Sequence, residues 1–299
     1  MTVSKSIAIT GASGQLGRMI VADVLRLAPE AHVIGVVRNP GAARDLSDRG
    51  IELRAAHYED AASVAAAFAG ADKVLLISSS EAKQRTRLHR HVIDAAKAVG
   101  VELLAYTSIL HADANPMALA VEHRETEALI RSSGLPFVFL RNGWYTENHT
   151  AGLAAALRRG TILGAAGDGR VSAAARADFA AASAVVLASD ADQAGSVYEL
   201  AGDSAYTLTE LAAEIARQSG RPIVYKDLSE ADYKAALQAD GLPEEFAALY
   251  AESDVKAAQG ALLDGRQQLS ALIGRPTTTM AQSVAAALAL VPSIAWRAS

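Results

Sequence analysis

Short apolar runs alternate with segments of helical spacing through the first 140 residues of this chain. Such alternation is typical of βαβ units, in which parallel strands are joined by helices that cover the sheet. The nearly unbroken apolar character of several runs indicates strands that are buried on both faces. The predicted fold class is therefore α/β, a doubly wound parallel sheet with strands at residues 7–9, 32–37, 52–55, 73–77, 102–106 and 136–140.

Beyond residue 140 the alternation loosens, and the remaining chain is predicted to form a smaller C-terminal α/β cap. Its short apolar runs lie at residues 160–164, 197–200 and 223–225. We place a soft boundary near Tyr145, with a sheet domain at residues 1–145 and a mainly substrate-side cap at residues 146–299. Some segments of the cap region are expected to return to the sheet.

Composition limits the classes of partner. With 51% hydrophobic residues, a net charge of −5 and no dense block of Lys or Arg, the chain suits a globular protein that does not bind nucleic acid or an anionic membrane. The absence of cysteine excludes thiolate catalysis and Cys-based metal sites, and no metal site is predicted. Neither a signal peptide nor a membrane span is predicted. We expect a cytoplasmic protein that acts on a small molecule, and a homodimer is left open.

A glycine-rich turn follows the first predicted strand. Gly11, Gly14 and Gly17 have the spacing G-x-x-G-x-x-G, which lets the backbone turn sharply, approach a ligand closely and pack the next helix on the strand. The N–H groups at that helix start, together with the helix dipole, favour a phosphate. Because such turns also close βα units that bind no ligand, the context must decide. The candidate phosphate-binding residues are Gly11, Ala12, Ser13, Gly14, Gln15, Leu16 and Gly17.

Arg38 stands directly after the second predicted strand. In a dinucleotide-binding sheet an acid at this place accepts a hydrogen bond from the ribose 2′-hydroxyl of NAD, whereas a guanidinium holds the 2′-phosphate of NADP. The arginine therefore predicts NADPH as the cofactor, and a solvated surface arginine is the alternative. Ligands of such sheets lie outside the carboxyl ends of the strands. The further candidate cofactor-binding residues at that edge are Ser78, Ser79, Ser80, Thr107 and Ser108.

These segments resemble the NmrA-like branch of the atypical short-chain dehydrogenase/reductases. Within that branch they are most similar to the bacterial type 2 quinone oxidoreductases, with the triphenylmethane reductases as near relatives. The matching residues are 7–17, 37–40, 75–81, 105–108, 140–145, 198–204 and 272–279. The resemblance implies an NADPH-binding Rossmann domain and the reduction of quinones without flavin. The tail after Leu290 looks like an extension beyond the usual end of the family, and we predict no function for it.

The chain departs from ordinary short-chain dehydrogenases at the proton donor. Those enzymes use a Tyr-x-x-x-Lys pair, but no tyrosine here is followed by lysine four residues later. In the related plant phenylpropanoid reductases a helix lysine serves instead, and the spacing back from Gly134 places His123 at that position. His123 is therefore a candidate proton donor. The alternative is a helix histidine that only makes a structural hydrogen bond.

Asn142 and Tyr145 follow the sixth predicted strand and are the preferred residues to orient a quinone or to donate to the oxyanion that develops on it. Arg141 is expected to satisfy either the sheet end or a pyrophosphate. Two functions stay open: a reductase of quinones or another flat, electron-poor acceptor such as a triphenylmethane dye, and a non-enzymatic NADP(H)-binding redox sensor of the NmrA type. The resemblance across the cap favours the enzyme.

Overall fold

The computed structural model describes residues 5–81 and 83–291. The chain divides into two compact units. The first takes its described residues from Met1–Asp113, Ala120–Asn142 and Ala177–Glu199. The second takes its own from Ala114–Leu119, Gly143–Arg176 and Leu200–Ser299. The predicted C-terminal tail lies outside the described residues from position 292 onward.

The described residues form nine strands: β1 (Ser6–Thr10), β2 (His32–Val37), β3 (Glu52–Ala55), β4 (Lys73–Leu76), β5 (Leu103–Ile109), β6 (Phe137–Asn142), β7 (Thr161–Gly164), β8 (Ser196–Leu200) and β9 (Val224–Asp227). The first unit contains a seven-stranded sheet in the order β3-β2-β1-β4-β5-β6-β8. Every neighbouring pair from β3 to β6 is parallel. This order is that of a doubly wound dinucleotide-binding sheet, so the predicted Rossmann-type α/β fold is confirmed.

The helices in the described residues are α1 (Gln15–Leu27), α2 (Arg44–Ser47), α3 (Ala61–Ala67), α4 (Arg85–Val99), α5 (Ala118–Ser133), α6 (Thr146–Thr150), α7 (Leu153–Arg159), α8 (Arg176–Ala188), α9 (Leu208–Ser219), α10 (Glu230–Ala239), α11 (Glu244–Ala258), α12 (Gln268–Ile273) and α13 (Met280–Leu290). A short 3-10 helix covers Pro40–Ala43. Over the described part of the chain, no helix combines the length and the apolarity that crossing a membrane requires.

The core of the first unit lies at the middle of its sheet. Both β4 and β5 are buried at every residue, as expected for central strands of a parallel sheet. Val74 and Leu104 belong to one apolar cluster with Phe139 of β6 and with Phe68, which follows α3. Burial of these side chains stabilises the sheet that carries the site, by about 1.5–3 kcal/mol for each large apolar side chain.

Two central strands run further than the sequence predicts. The prediction that the fifth strand ends at Tyr106 and the sixth at Leu140 is wrong, because β5 continues to Ile109 and β6 to Asn142. Apart from Ile109, the residues of these extensions are polar: Thr107, Ser108, Arg141 and Asn142. They are buried, and hydrogen bonds to other parts of the chain compensate for their burial. The Ser108 hydroxyl, for example, donates to a Glu127 carboxylate oxygen over 2.6 Å.

Residues 177–199 join the first unit through specific contacts. Lys73 of β4 is buried, and its ammonium donates to the carbonyl of Leu187 at 3.0 Å and to that of Ser189 at 2.7 Å. These carbonyls lie at the C-terminal end of α8, where a cation also interacts favourably with the helix dipole. The lysine therefore fixes the C-terminal end of α8 to the start of β4.

The second unit is built mainly of helices. Its two strands, β7 and β9, pair in parallel, with Thr161 opposite Val224 and Gly164 opposite Asp227. Helices α9 and α13 both begin with complete capping boxes, Thr207 with Glu210 and Thr279 with Gln282. In such a box the side chains at the two positions satisfy each other's backbone N–H groups.

Candidate functional site

The glycine-rich turn between β1 and α1 has the geometry of a phosphate cradle. Gly11 has a φ of 60°, and the Gly14 amide donates to its carbonyl over 2.9 Å. A Cβ on Gly17 would lie 2.3 Å from the Gly11 carbonyl oxygen, so this position requires glycine. No side chain of the described residues caps α1 at Gly14 and none in its first turn is acidic. The helix start is thus open to an anion.

A cleft of about 630 Å³ lies beside this turn in the first unit. Gly11, Ser13 and Gly14 line it, as do Arg38 and the predicted serine segment 78–80. The structure therefore brings together most of the cofactor-binding residues predicted from the sequence. It adds the segment 56–59, which the sequence analysis missed. That segment follows β3 at the same carboxyl edge, and the rule that ligands bind at this edge could have indicated it.

Arg38 lies at the mouth of the cleft, directly after β2. Its side chain is 79% exposed, and one of its guanidinium nitrogens lies 3.9 Å from a Glu81 carboxylate oxygen. An exposed ion pair at that distance contributes little and breaks easily. The guanidinium is therefore accessible to an anionic group that enters the cleft.

The segment after β4 is held by side chains at three successive backbone amides. The Ile77 amide donates to the Thr10 hydroxyl at 2.9 Å, and the Ser78 amide donates to the Thr107 hydroxyl at 2.9 Å. The Ser79 amide donates to Nε2 of His89 at 3.0 Å. Thr107 is thus buried inside β5, where it supports the serine segment. Ser108 is buried in the same strand against Glu127.

His123 lies in the interior of the first unit, on α5. It is 6% exposed, and 2.8 Å separate its Nδ1 from the hydroxyl oxygen of Tyr106, which is fully buried. Burial, together with the charge of Arg85 and the neighbouring His89, lowers the pKa of His123 well below its ordinary value. The ring is therefore neutral near pH 7 and has no extra proton to donate.

Asn142 and Tyr145 belong to different units. Asn142 is the last residue of β6, and its carbonyl accepts a hydrogen bond from the Leu110 amide at 2.9 Å. Tyr145 precedes α6, with its ring 4.8 Å from the guanidinium carbon of Arg176. Such a cation over an aromatic face fixes the ring orientation.

Arg141 forms a buried ion cluster inside the sheet. Its Nε and Nη2 donate to the two carboxylate oxygens of Glu127 at 2.9 and 2.6 Å, and Nη1 donates to Glu199 at 2.9 Å and to Asp113 at 2.8 Å. Burial on its own would lower the pKa of Arg141, but these hydrogen bonds outweigh burial and raise the pKa above its ordinary value. Of the two roles expected for Arg141, the structure shows the one at the sheet end.

A second cavity, of about 570 Å³, lies within the second unit. Apolar side chains from α7, α9, α10 and α11 form most of its wall. Asp254 also lines it, and its carboxylate accepts a hydrogen bond from the Ala165 amide at 2.9 Å. Burial raises the pKa of Asp254 to about 6 despite this hydrogen bond.

A family model described as NAD(P)H-binding matches residues 11–190, which include the glycine turn, Arg38 and the serine segment. The chain belongs to the NAD(P)H-binding family. The match covers most of the sheet of this NAD(P)H-binding protein. It also includes the returning helix α8.

The similarity between this NAD(P)H-binding protein and its relatives extends over nearly the whole chain. Quinone oxidoreductase 2 of Escherichia coli (strain K12) is 53% identical over 278 residues, which cover 93% of this chain and 97% of the relative. A crystal structure of the E. coli NADPH-dependent quinone oxidoreductase complexed with NADPH has a TM-score of 0.91 at 51% identity and covers 94% of this chain and 99% of that one. The Citrobacter sp. triphenylmethane reductase complexed with NADP(H) has a TM-score of 0.90 at 34% identity, with coverages of 94% and 99%. The family resemblance inferred from the sequence is confirmed.

Proposed function

We propose that this chain reduces quinones with NADPH by direct hydride transfer and without flavin. The observation that carries the proposal is the cleft itself, which both a glycine cradle and an exposed Arg38 line. The 53% identity to E. coli quinone oxidoreductase 2 supports the choice of acceptor. Functionally, we divide the chain into a cofactor domain at residues 1–145 and a mainly substrate-side cap at residues 146–299, of which residues 177–199 return to the sheet unit.

The described residues fit the cofactor. The steric requirement for glycine at position 17 keeps α1 close to β1, so that its first amides face the turn where a pyrophosphate would bind. Arg38 would hold the 2′-phosphate in its fork. The serine segment 78–80, which lines the same cleft, would contact the remainder of the dinucleotide. When bound, NADPH supplies the hydride.

The acceptor needs mainly placement and donors. A quinone is electron-poor, so stacking it on the nicotinamide and stabilising the negative charge on its oxygen are the main tasks of the protein. We assign the donors to the Asn142 amide and the Tyr145 hydroxyl. His123 is a neutral, buried partner of Tyr106, and we propose that it supports that strand rather than delivers the proton.

The test is to mix the purified protein, free of flavin, with NADPH and 1,4-benzoquinone and to follow NADPH absorbance. We expect oxidation well above the uncatalysed rate. Tight NADPH binding without accelerated NADPH oxidation would overturn the assignment of this chain as an enzyme and favour an NmrA-type redox sensor. Oxidation that requires added flavin would overturn direct hydride transfer. We further propose that the enzyme acts in the cytoplasm, and a homodimer is open to measurement by sedimentation.

The two proposed donors give a prediction about turnover. Asn142→Ala and Tyr145→Phe each remove one hydrogen-bond donor, and removing an oxyanion donor commonly costs about 100-fold to 1,000-fold in kcat when it is fully engaged. We expect kcat to fall at least tenfold while the Kd for NADPH changes by less than about threefold. Tyr198→Phe is the matched control, because Tyr198 donates only to Gln193 in the hydrogen bonds described. Unchanged kcat in both variants would assign the two residues to packing.

A further inference from the structure

His89 of α4 is fully buried next to the serine segment of the cofactor cleft. It is one of the three side chains that accept hydrogen bonds from the successive backbone amides after β4. The other two are threonine hydroxyls, whereas His89 can carry its proton on either ring nitrogen. Both nitrogens are hydrogen-bonded: Nε2 accepts from the Ser79 amide, and Nδ1 lies 3.0 Å from the Thr126 hydroxyl oxygen. The ring therefore bridges the cleft segment to α5.

The hydrogen bonds determine the tautomer of His89. Because the Ser79 amide can only donate, Nε2 must be the unprotonated nitrogen, and the proton of the neutral ring is on Nδ1. Nδ1–H then donates to the Thr126 hydroxyl, whose own proton goes to the Glu122 carbonyl at 2.8 Å. Each donor in this series has one acceptor, so the opposite tautomer would place two N–H groups face to face at Ser79.

The carbonyl of the same residue, Ser79, is held as well. Arg85 Nε donates to the Ser79 carbonyl oxygen at 2.8 Å, and Arg85 Nη1 is paired with Glu122 at 3.1 Å. Arg85 and His89 are four residues apart on α4 and so lie on one face of the helix. Residue Ser79 is consequently fixed at both its N–H and its C=O by two side chains of one helix.

The surroundings keep His89 neutral. The rings of Tyr58 and Tyr106 contact the His89 ring edge to face, at centroid distances of 6.4 and 5.5 Å. Burial, and secondarily the positive charge of Arg85, lowers the pKa of His89 to about 3. A protonated ring would present N–H to the Ser79 amide and lose the bond.

We propose that His89 is a positioning residue of the NAD(P)H site, whose unprotonated Nε2 fixes the Ser79 amide and thereby orders segment 78–80 along the cleft wall before the cofactor binds. An ordered wall loses less conformational entropy on binding than a mobile one. The proposal deepens the proposed cofactor site but does not depend on a quinone as the acceptor. It is therefore tested by NADPH binding alone.

Two substitutions separate acceptance at Nε2 from mere packing. His89→Gln places an amide oxygen near the position of Nε2 and can still accept from Ser79, whereas His89→Asn reaches only the position of Nδ1. By calorimetric titration we expect the Kd for NADPH to rise about tenfold in His89→Asn, the effect of losing one buried hydrogen bond, and less than about threefold in His89→Gln. Arg90→Asn, on the exposed side of the same helix, is the control for helix propensity and should leave the Kd unchanged.

Wild-type affinity in His89→Asn, or equal losses in the Asn and Gln variants, would overturn the proposal. If the variants do not fold, the wild-type protein provides the decisive measurement. A long-range ¹H–¹⁵N spectrum of ¹⁵N-labelled protein should show His89 protonated at Nδ1 only, with no change between about pH 6 and pH 8. A proton on Nε2 would contradict the proposed bond to Ser79. If the wild-type protein shows this spectrum and binds NADPH but does not reduce quinones, the result counts against the proposed function and not against the role of His89.

Discussion

Arg141 is a cation inside a sheet, neutralised by acids from distant parts of the chain. Its side chain is 4% exposed and those of Glu127 and Glu199 are 3% and 9% exposed. The two-pronged pairing with Glu127 uses the fork geometry that lysine cannot reproduce. The cluster explains how a charged residue can occupy the end of a central strand.

Removing this arginine is expected to destabilise the fold strongly. Arg141→Met removes the buried cation from Glu127 and Glu199. Glu127 keeps its ion pair with the exposed Arg131, at 3.5 Å. Breaking a buried ion pair by removing one partner typically costs about 3–5 kcal/mol. The measurement is the free energy of unfolding in urea. Arg87→Met, which breaks the exposed pair with Glu59, is the control and should cost under about 1 kcal/mol. Equal effects of the two substitutions would contradict the structural role of the cluster.

Arg38 gives a prediction about cofactor choice. Arg38→Asp removes the fork proposed for the 2′-phosphate and places a negative charge there, so we expect the Kd for NADPH to rise about 10-fold to 100-fold. NADH lacks this phosphate, and its Kd should change by less than about threefold. Fluorescence titration with both dinucleotides measures the difference. Glu81→Gln, which removes the acid near Arg38, should not weaken NADPH. Equal losses of affinity for NADPH and NADH would show that Arg38 does not bind the 2′-phosphate.

At the level of elements, the strand-turn-helix unit at the front of the chain depends on the absence of one side chain. A Cβ on Gly17 would meet the Gly11 carbonyl oxygen at 2.3 Å and the Ala12 Cα at 2.8 Å, so α1 would have to move away from β1. These contacts are with backbone atoms, which cannot rotate aside. The phosphate cradle and the packing of α1 against β1 therefore both require glycine at position 17.

We expect Gly17→Ala to destabilise the protein by about 1–3 kcal/mol and to abolish measurable NADPH binding, because the amides at the start of α1 are displaced. Thermal unfolding and calorimetric titration measure the two effects. Gly152→Ala is the matched control at another helix start: its Cβ would meet no atom within 4 Å. Full NADPH affinity in Gly17→Ala would show that the turn does not hold the phosphate.

Local patterns predict elements whose burial is explained by apolar residues, and they predict less well where polar residues are buried. The bounds of β2 and β3 are those expected from the sequence. In β2 the reason is clear, since its apolar run ends at the polar pair Arg38 and Asn39. In β5 and β6 the strands continue through Thr107 and Arg141, whose partners lie on other elements, 14 to 58 residues away along the chain. A window of neighbouring residues contains no information about such partners. The burial of His123 is unpredictable for the same reason, because the spacing of residues along α5 does not indicate its contact with Tyr106 of β5.

For the molecule as a whole, a buried acid of the second unit makes stability depend on pH. Burial raises the folded-state pKa of Asp254 to about 6, above its ordinary value of 3.8. Below about pH 4 the group is protonated in both states and contributes nothing. As pH rises from about 4 to about 6 the unfolded state loses its proton first, so stability falls, and above about pH 6 the full penalty remains.

Asp254→Asn removes this penalty while its amide oxygen can still accept from Ala165. We expect the variant to gain stability over the wild type between about pH 4 and pH 6, reaching a plateau of at most about 3 kcal/mol near pH 7. Melting temperatures measured across this pH range give the difference. Asp168→Asn, an exposed aspartate of the same unit, should show no such trend. A gain that is largest at low pH would contradict the assignment.

The return of residues 177–199 to the first unit has a consequence for biosynthesis. As the chain emerges from the ribosome, Arg141 appears 58 residues before Glu199, and Lys73 appears 114 residues before the Leu187 carbonyl that it binds. The N-terminal sheet is therefore incomplete while residues 143–176 are being translated. Lys73 lacks both of its carbonyl partners, and Arg141 lacks Glu199, until residues 187–199 have been synthesised. A nascent chain stalled before residue 199 should for this reason be a better substrate for chaperones and proteases than the released protein.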